Sequence, residues 1–433
     1  MEPPAFRSVM IKPLKVTTVE QREQALRDTE YNVFSFPADM LAVDLLSDSG
    51  VTTMNHLQWS AMFHGDEFYG RNTGYYLLLD AVRDTFERGD NPEEIYKHVL
   101  SGESSVETLM EDVYLKRYEG GFVNGGPAQL NRPNAFIVPQ ARCAEFLLFS
   151  TLAEVLQETN PLGSWIIPNN GHFDTTEANV LASGFEAINL FSADPLAPFD
   201  GGQMLTENPF RGNMSTSRLE DLIQTKGASS IPIIFLTITN NTCAGQPVSM
   251  QNIRDVSEIA ARFNIPLFFD ACRFAENAWF IKKYETGYSN VSIRGIIREM
   301  FSYVDGFSIS FKKDGMANIG GGLFFKDCGT FQQTYPGIGI LLKEKQIRIF
   351  GNDSYGGLSG RDLMTITLGL TQVVCNDYLT QRIRQVQKFA EKLDDAGVPI
   401  VLPVGGHAIY IDIDRFFEGN NRSLEEFPGN SDH

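Results

Sequence analysis

The sequence predicts an α/β protein built on a parallel sheet, and three observations carry that prediction. Strand, polar turn and helix recur along the chain, in AFIVPQARCAEFLLFSTLAEVL (135–156), in SWIIPNN followed by GHFDTTEANV, and in IPIIFLTITNN followed by MQNIRDVSEIAARFN. Short apolar runs alternating with helical periodicity are the signature of parallel strands, whose crossovers need a helix. Two further apolar runs end in charge: IPLFFDACRF delivers Asp270, and Val304–Phe311 delivers the adjacent lysines Lys312 and Lys313. In an open parallel sheet ligands bind at the carboxyl ends of the strands. Gln140, Asn241, Asp270, Arg273 and Lys313 are all expected there.

In chain order, residues 1–45 read as an N-terminal arm with a charged helix (Glu20–Glu30) and a turn at Pro37, leading to a small lobe. Leu45–Met54 reads as the end of an apolar strand. Gly65–Tyr76 reads as a polar, aromatic loop feeding the amphipathic helix LLLDAVRDTF. Residues 88–133, rich in Glu, Gly, Asn and Pro, read as an exposed insertion with a short helix at Val106–Tyr118. An acidic connection, Asp194–Gly212, precedes a capped helix near Ser217–Lys226. Leu363–Ala396 has the pattern of one long helix or two. GVPIVLPVGGHAIYIDI reads as a β-hairpin opening a second lobe, so the expected division is 1–45, a large domain 46–395, and the start of a small domain at 396–433.

The composition sets the outer limits. With 433 residues, 42% hydrophobic and 21% charged, the chain has the make-up of a soluble globular protein. A formal charge of −18 disfavours nucleic acid and anionic membranes as partners. The start lacks the apolar core of a secretory signal, and no run reaches the ~18 apolar residues of a membrane span. Five scattered cysteines without a CxxC pair point to a reducing, cytoplasmic setting and away from zinc. His172 and His407, each isolated from other ligand types, are expected to be loop or supporting residues rather than metal ligands.

Lysines seldom end a buried strand without a purpose, because burying an unpaired ammonium is costly. Desolvation lowers a lysine's pKa, and the neutral amine can condense with an aldehyde. A strand-end aspartate 43 positions before a strand-end lysine suggests pyridoxal phosphate. The lysine would take the cofactor's aldehyde as an imine, and a carboxylate would keep the pyridine nitrogen protonated, so that the ring can accept electrons. An arginine-bearing helix N-terminus, here after Gln140, favours phosphate. Taken alone, Asp270 also fits a helix cap with Arg273 as its ion partner.

The motifs LLSDSG, GDEFYG, HFDTT, GQPVSM, FFDACRFAENAWFIK, MFSYVDG, FKKDGMANIGG, SYGGLSGRD and PVGGHA closely resemble the aromatic amino-acid β-eliminating lyases, tyrosine phenol-lyase and tryptophanase. The likeness runs from about Phe6 to Pro428, interrupted at 88–133. It implies a fold-type I, aspartate-aminotransferase-like enzyme with a large domain and an incomplete small domain. It also implies cleavage of the Cβ–Cγ bond of an aromatic amino acid, in a homo-oligomer (dimer or tetramer). By the resemblance, Lys313 is the Schiff-base lysine and Asp270 the pyridine partner. Asn241 and Arg273 approach the ring oxygen, and Phe173 stacks on the ring. Gln140, Ala141, Arg142, Ser310 and Lys312 surround the phosphate. Tyr69 is the general acid, Ser47, Ser49 and Asp174 face the substrate, and Gly50, Glu67 and Asn318 hold a monovalent cation, potassium.

The chain departs from the family pattern in three ways. QARC stands where the family has QGRG, so Ala141 and Cys143 replace glycines. Asp174 in FDTT is tryptophanase-like, whereas SYGGLSGRD and MFSYVDG are closer to the phenol-lyase. The family also continues well beyond the EFPG segment, into a region that carries the arginine gripping the substrate carboxylate. That difference leaves two other readings open: a cofactor-binding pseudoenzyme or assembly subunit, and a pyridoxal phosphate lyase or aldolase of another amino acid.

Overall fold

A computed structural model describes residues 15–87, 97, 99–100, 121–123, 134–192 and 210–417. Most of the 88–133 insertion, including its expected helix, lies outside the described residues, as do most of the acidic connection and everything after Phe417. Seven strands form one sheet: β1 (Ala135–Val138), β2 (Ile166–Asn169), β3 (Glu186–Asn189), β4 (Ile234–Thr237), β5 (Leu267–Asp270), β6 (Gly306–Ser310) and β7 (Gly321–Phe325), in the order β1-β7-β6-β5-β4-β2-β3. The β6-β5-β4-β2-β3 pairings are parallel, while β7 runs antiparallel to both β6 and β1.

The sheet is therefore mixed, which corrects the all-parallel expectation. β7 hides in the sequence because it opens with Gly321 and Gly322, which read as a loop. Its glycines answer a packing demand. A Cβ on Gly321 would stand 2.4 Å from the Gln140 carbonyl carbon, and one on Gly322 would stand 2.4 Å from the Phe324 ring.

The described helices are α1 (Val19–Asp28), α2 (His56–His64), α3 (Thr73–Phe86), α4 (Ala141–Thr159), α5 (Asp174–Ala182), α6 (Thr216–Lys226), α7 (Met250–Arg262), α8 (Phe274–Tyr284), α9 (Ile293–Ser302), α10 (Thr330–Thr334), α11 (Ile338–Phe350), α12 (Gly360–Val373), α13 (Asn376–Asp395) and α14 (Ile413–Phe417). They cover the sheet on both faces. Successive residues of a strand point to opposite sides, and on β5 Phe268 enters one apolar layer, with α4, α10 and α11, while Phe269 enters the other, with α3, α7, α8, α9 and α12. Phe86, Phe274, Phe301 and Phe307 knot the second layer, Phe86 standing 4.5–4.8 Å from the other three ring centroids. Each such buried side chain stabilises the fold by about 1.5–3 kcal/mol relative to exposure.

Helix starts follow local chemistry. Ser249 accepts a hydrogen bond from the Asn252 N–H at the start of α7, and Ser359 and Asp362 form a reciprocal capping box on α12. The 363–396 pattern resolves into α12 and α13. Helix α2 and strand β3 were not foreseen.

Two expectations are corrected. Leu45–Met54 forms no strand: Asp44 and Ser47 accept hydrogen bonds from the N–H groups of Leu46 and Ser49, local turns that compete with a ladder. The hairpin after Gly397 shrinks to a single antiparallel bridge, Ile400↔Ile411, because the chain between dives onto the large sheet's carboxyl edge.

Candidate active site

The parallel strands end at a common edge, and a cavity partly open to solvent lies against it. Its lining comes from the segments after β1 (Gln140, Ala141, Arg142), β2 (Phe173, Thr175), β4 (Ile238, Thr239, Asn241), β5 (Asp270, Cys272, Arg273) and β6 (Ser310, Lys313), with Glu145 and Ser49. Nine of the seventeen residues named at the sequence level thus share one wall: Gln140, Ala141, Arg142, Phe173, Asn241, Asp270, Arg273, Ser310 and Lys313; Ser49 joins them from its loop.

The turn that carries Lys313 is held by its neighbours. Lys313 and Met316 close tight turns, and Ala317 N–H returns to the Phe311 carbonyl at 3.1 Å. Asp314 then accepts from the N–H groups of Ala275 (2.8 Å) and Glu276 (3.1 Å), capping the start of α8. The lysine turn and the helix that follows Arg273 are thereby locked together. Lys313 Nζ stands 5.7 Å from the centroid of the Phe173 ring. The Asp270 side chain is buried at the end of β5, and its carboxylate accepts a long hydrogen bond, 3.4 Å from Cys272 N–H. One buried carboxylate and one lysine therefore face a common space beside an aromatic face.

Opposite, α4 begins at Ala141 with no side chain capping it. Its first-turn N–H groups and Arg142 make an electropositive corner suited to a phosphate. Neither Ala141 nor Cys143 has a positive φ, so the glycine replacements in QARC bring no backbone strain.

Several residues of the site were not singled out from the sequence. Asp48 pairs bidentately with Arg273, at 2.8 and 2.9 Å. Burial works against its charge, but the Arg273 guanidinium holds the carboxyl well below the usual carboxylate range. Glu145 is buried on α4 and accepts from Thr176 Oγ1 at 2.7 Å; burial, reinforced by Asp270, pushes its carboxyl up to about 7. Burial raises the Cys272 thiol far above its ordinary range, so it offers no thiolate. A glutamate among the apolar residues of AEFLLF was the available signal for Glu145, and the acid inside LLSDSG was the signal for Asp48.

Other named residues lie elsewhere. Tyr69 is 77% exposed, its ring 6.2 Å from that of Tyr355. Glu67 is exposed, accepts from Gly360 N–H and pairs with Arg361 at 3.1 Å. Gly50 and Asn318 do meet: Asn318 Nδ2 donates to the carbonyls of Gly50 (2.9 Å) and Thr52 (3.0 Å). Lys312 runs along Gly50 instead of lining the cavity, and Ser47 and Asp174 are exposed outside it. His172 is buried against Asn189, and burial lowers its pKa to about 4. Among the described residues no helix is long and apolar enough to cross a membrane.

A family model described as beta-eliminating lyase matches residues 44–426. A tryptophanase of Salinibacter ruber is 37% identical over 408 residues, 94% of this chain and 72% of that protein. A tyrosine phenol-lyase of Clostridium tetani is 34% identical over 426 residues, 98% of this chain and 78% of that protein. Among solved structures, an aspartate aminotransferase of Thermotoga maritima matches with a TM-score of 0.50 at 13% identity, covering 89% of this chain and 79% of that one. That likeness concerns the fold.

Proposed function

Because the chain belongs to the beta-eliminating lyase family and is an enzyme of that pyridoxal-phosphate-dependent class, we propose that it eliminates the arene from an aromatic L-amino acid of the tyrosine or tryptophan type. The products are pyruvate, ammonia and the arene. The observation that carries this reading is the meeting of Lys313, Asp270 and Phe173 at one strand-end cavity.

The residues fit the cofactor. The uncapped α4 terminus with Arg142 and Ser310 suits its phosphate, buried Asp270 lacks a cationic partner of its own, and Phe173 offers a flat face. When bound, pyridoxal phosphate supplies an electron sink for the substrate's Cα. Lys313 would anchor it and would serve as the base for the Cα–H proton. Asp270 would keep the proton on the ring nitrogen. Asn241 and Arg273 address the ring oxygen, with Asp48 orienting the guanidinium. Gln140 and Ala141 contribute at the phosphate corner, and Ser49 stands on the substrate side. Ser47, Asp174 and Lys312 take their places there only if the surrounding loops close.

Tyr69 and Glu67 sit on an exposed loop outside the cavity of their own chain. We assign them to the site of a second copy, Tyr69 to protonate the leaving carbon and Glu67 to complete a potassium site with Gly50 and Asn318. On this reading the working unit is a homo-oligomer, residues 46–395 form its large domain, and 1–45 and 396–433 contribute to a smaller one.

The test is direct. Purified protein mixed with pyridoxal phosphate should develop a visible band, borohydride should fix the label on Lys313, and tyrosine or tryptophan with potassium should release pyruvate. Labelling at Lys312, or pyruvate from serine alone, would overturn the assignment.

A further inference from the structure

From the sequence, His407 in PVGGHA reads as a supporting loop residue. The structure brings it to the cavity wall. Pro403–Tyr410 folds back onto the loop after β4, and three glycines make the approach possible. A Cβ on Gly405 would stand 2.3 Å from the Ala244 carbonyl oxygen, and one on Gly406 would stand 2.2 Å from Glu276 Cδ. Across the contact, a Cβ on Gly245 (φ +70°) would stand 2.7 Å from His407 Cε1. Any side chain at these positions would push the histidine away.

So seated, the His407 side chain is 6% exposed. Its Nε2 stands 2.9 Å from Asn241 Oδ1 and its Nδ1 3.1 Å from Glu276 Oε1. Tyr410 donates its hydroxyl to the same Asn241 oxygen at 2.9 Å. Glu276 is fully buried, accepts from Thr239 Oγ1 at 2.8 Å and pairs with Arg382 at 3.3 Å. Despite that burial, His407 and Arg382 keep the Glu276 carboxyl below its ordinary range. Both ring nitrogens of His407 thus face an acceptor oxygen, Glu276 Oε1 on one side and Asn241 Oδ1 on the other. With the amide oxygen of Asn241 claimed twice from behind, its NH₂ group is left to face the cavity it lines.

We propose that His407 and Tyr410 are positioning residues for Asn241, holding its amide so that the NH₂ group is a fixed donor to an anionic oxygen on the cofactor's ring. Neither need touch substrate or cofactor. The inference rests on the reading of the cavity as a pyridoxal phosphate site. A free asparagine side chain could present either its oxygen or its nitrogen to the ring; the clamp removes that choice.

The experiment uses the full-length holoprotein and pyridoxal phosphate, with His407→Phe, Tyr410→Phe, Asn241→Ala and the His407→Phe/Asn241→Ala double variant. Two quantities are read: the dissociation constant of the cofactor, and the pH midpoint at which the visible band of the bound cofactor changes. A donor to an anionic oxygen favours the deprotonated form, so losing it should raise the midpoint. His407→Phe should weaken binding about tenfold and raise the midpoint by about one unit, the size of one charge-assisted hydrogen bond. Tyr410→Phe should move both in the same direction by less. The double variant should move no further than Asn241→Ala, because the residues act through one group. His407→Gln, which keeps a donor, should recover part of the shift. A His407→Phe protein with wild-type midpoint and affinity, or shifts that add in the double variant, would overturn the proposal. If His407→Phe does not fold, an unshifted Tyr410→Phe overturns it equally. A wild-type chain that takes up no pyridoxal phosphate would instead bring down the reading of the cavity itself.

Discussion

The cavity at the strand ends and the Gly65–Gly70 loop carry comparable chemistry in opposite states. In the cavity wall key polar groups have fixed places. Asp314 caps α8, Arg273 is gripped by Asp48, and Asn241 is gripped by His407 and Tyr410. On the loop, Phe68 and Tyr69 are more than three-quarters exposed, and Glu67 meets a backbone N–H and an exposed arginine. A preorganised site can hold charge without paying for reorganisation at the moment of reaction, whereas an exposed tyrosine cannot deliver a proton to a fixed carbon. On the proposed function, one chain holds the cofactor and activates Cα, while acid delivery to the leaving group needs something laid over the loop.

The comparison can be broken at its strongest point first. Lys313→Ala should abolish borohydride labelling and lower pyruvate release by about a thousandfold or more, the upper part of the range for a removed acid–base group. Pyruvate release at a tenth of the wild-type rate would remove the lysine from the chemistry. Tyr69→Phe should bind pyridoxal phosphate as the wild type does, yet lose about a hundredfold or more in pyruvate release. Its sharper form is a mixture: co-expressed Lys313→Ala and Tyr69→Phe chains should regain activity that neither has alone, since a hybrid assembles one intact site. Silent hybrids would return Tyr69 to its own chain.

Smaller effects probe the ion pair and the buried acid. Asp48→Asn leaves Arg273 buried without its counter-charge. It should lower the unfolding free energy by about 1–3 kcal/mol in denaturant titrations, below the full buried-pair cost because Asp48 is 30% exposed. Because the folded-state pKa of Asp48 is depressed, the stability it lends is present above the ordinary aspartate range and is lost as pH falls below about 4. Asp48→Asn should therefore blunt the acid sensitivity of the protein. Glu145 has the opposite sign. Its folded-state pKa is raised from 4.5 to about 7, so its contribution is present at low pH and lost as pH rises through that window. Glu145→Gln should flatten the decline in stability between those values, and an unchanged slope would mean that Glu145 is already ionised there.

Much of the fold was legible because local pattern and tertiary role coincide. The runs ending at Val138, Asn169, Thr237, Asp270 and Ser310 are apolar on both faces, as strands covered by helices must be, and each ends at or within a few positions of residues that the cavity uses. β7 was not legible, since Gly321 serves a close approach by the start of α4 and Gly322 leaves room for the Phe324 ring, so the strand opens on two residues that read as a loop. The 45–54 segment was misread because its apolar start resembles a strand while Asp44 and Ser47 close turns.

By itself, then, the sequence determined the strand–helix alternation, the family motifs, and the presence of a lysine, an aspartate and an aromatic ring at strand ends. These depend on residue type and short-range spacing, which a linear chain displays. Only the tertiary structure decided that Asp48 reaches Arg273 across 225 positions and that His407 reaches Asn241 across 166. It also decided that Tyr69 turns outward from its own cavity. Those pairings follow from how the sheet's carboxyl edge gathers distant loops and from which glycines leave room for them. Hydrogen bonds between residues so far apart leave no periodicity in the chain to be read.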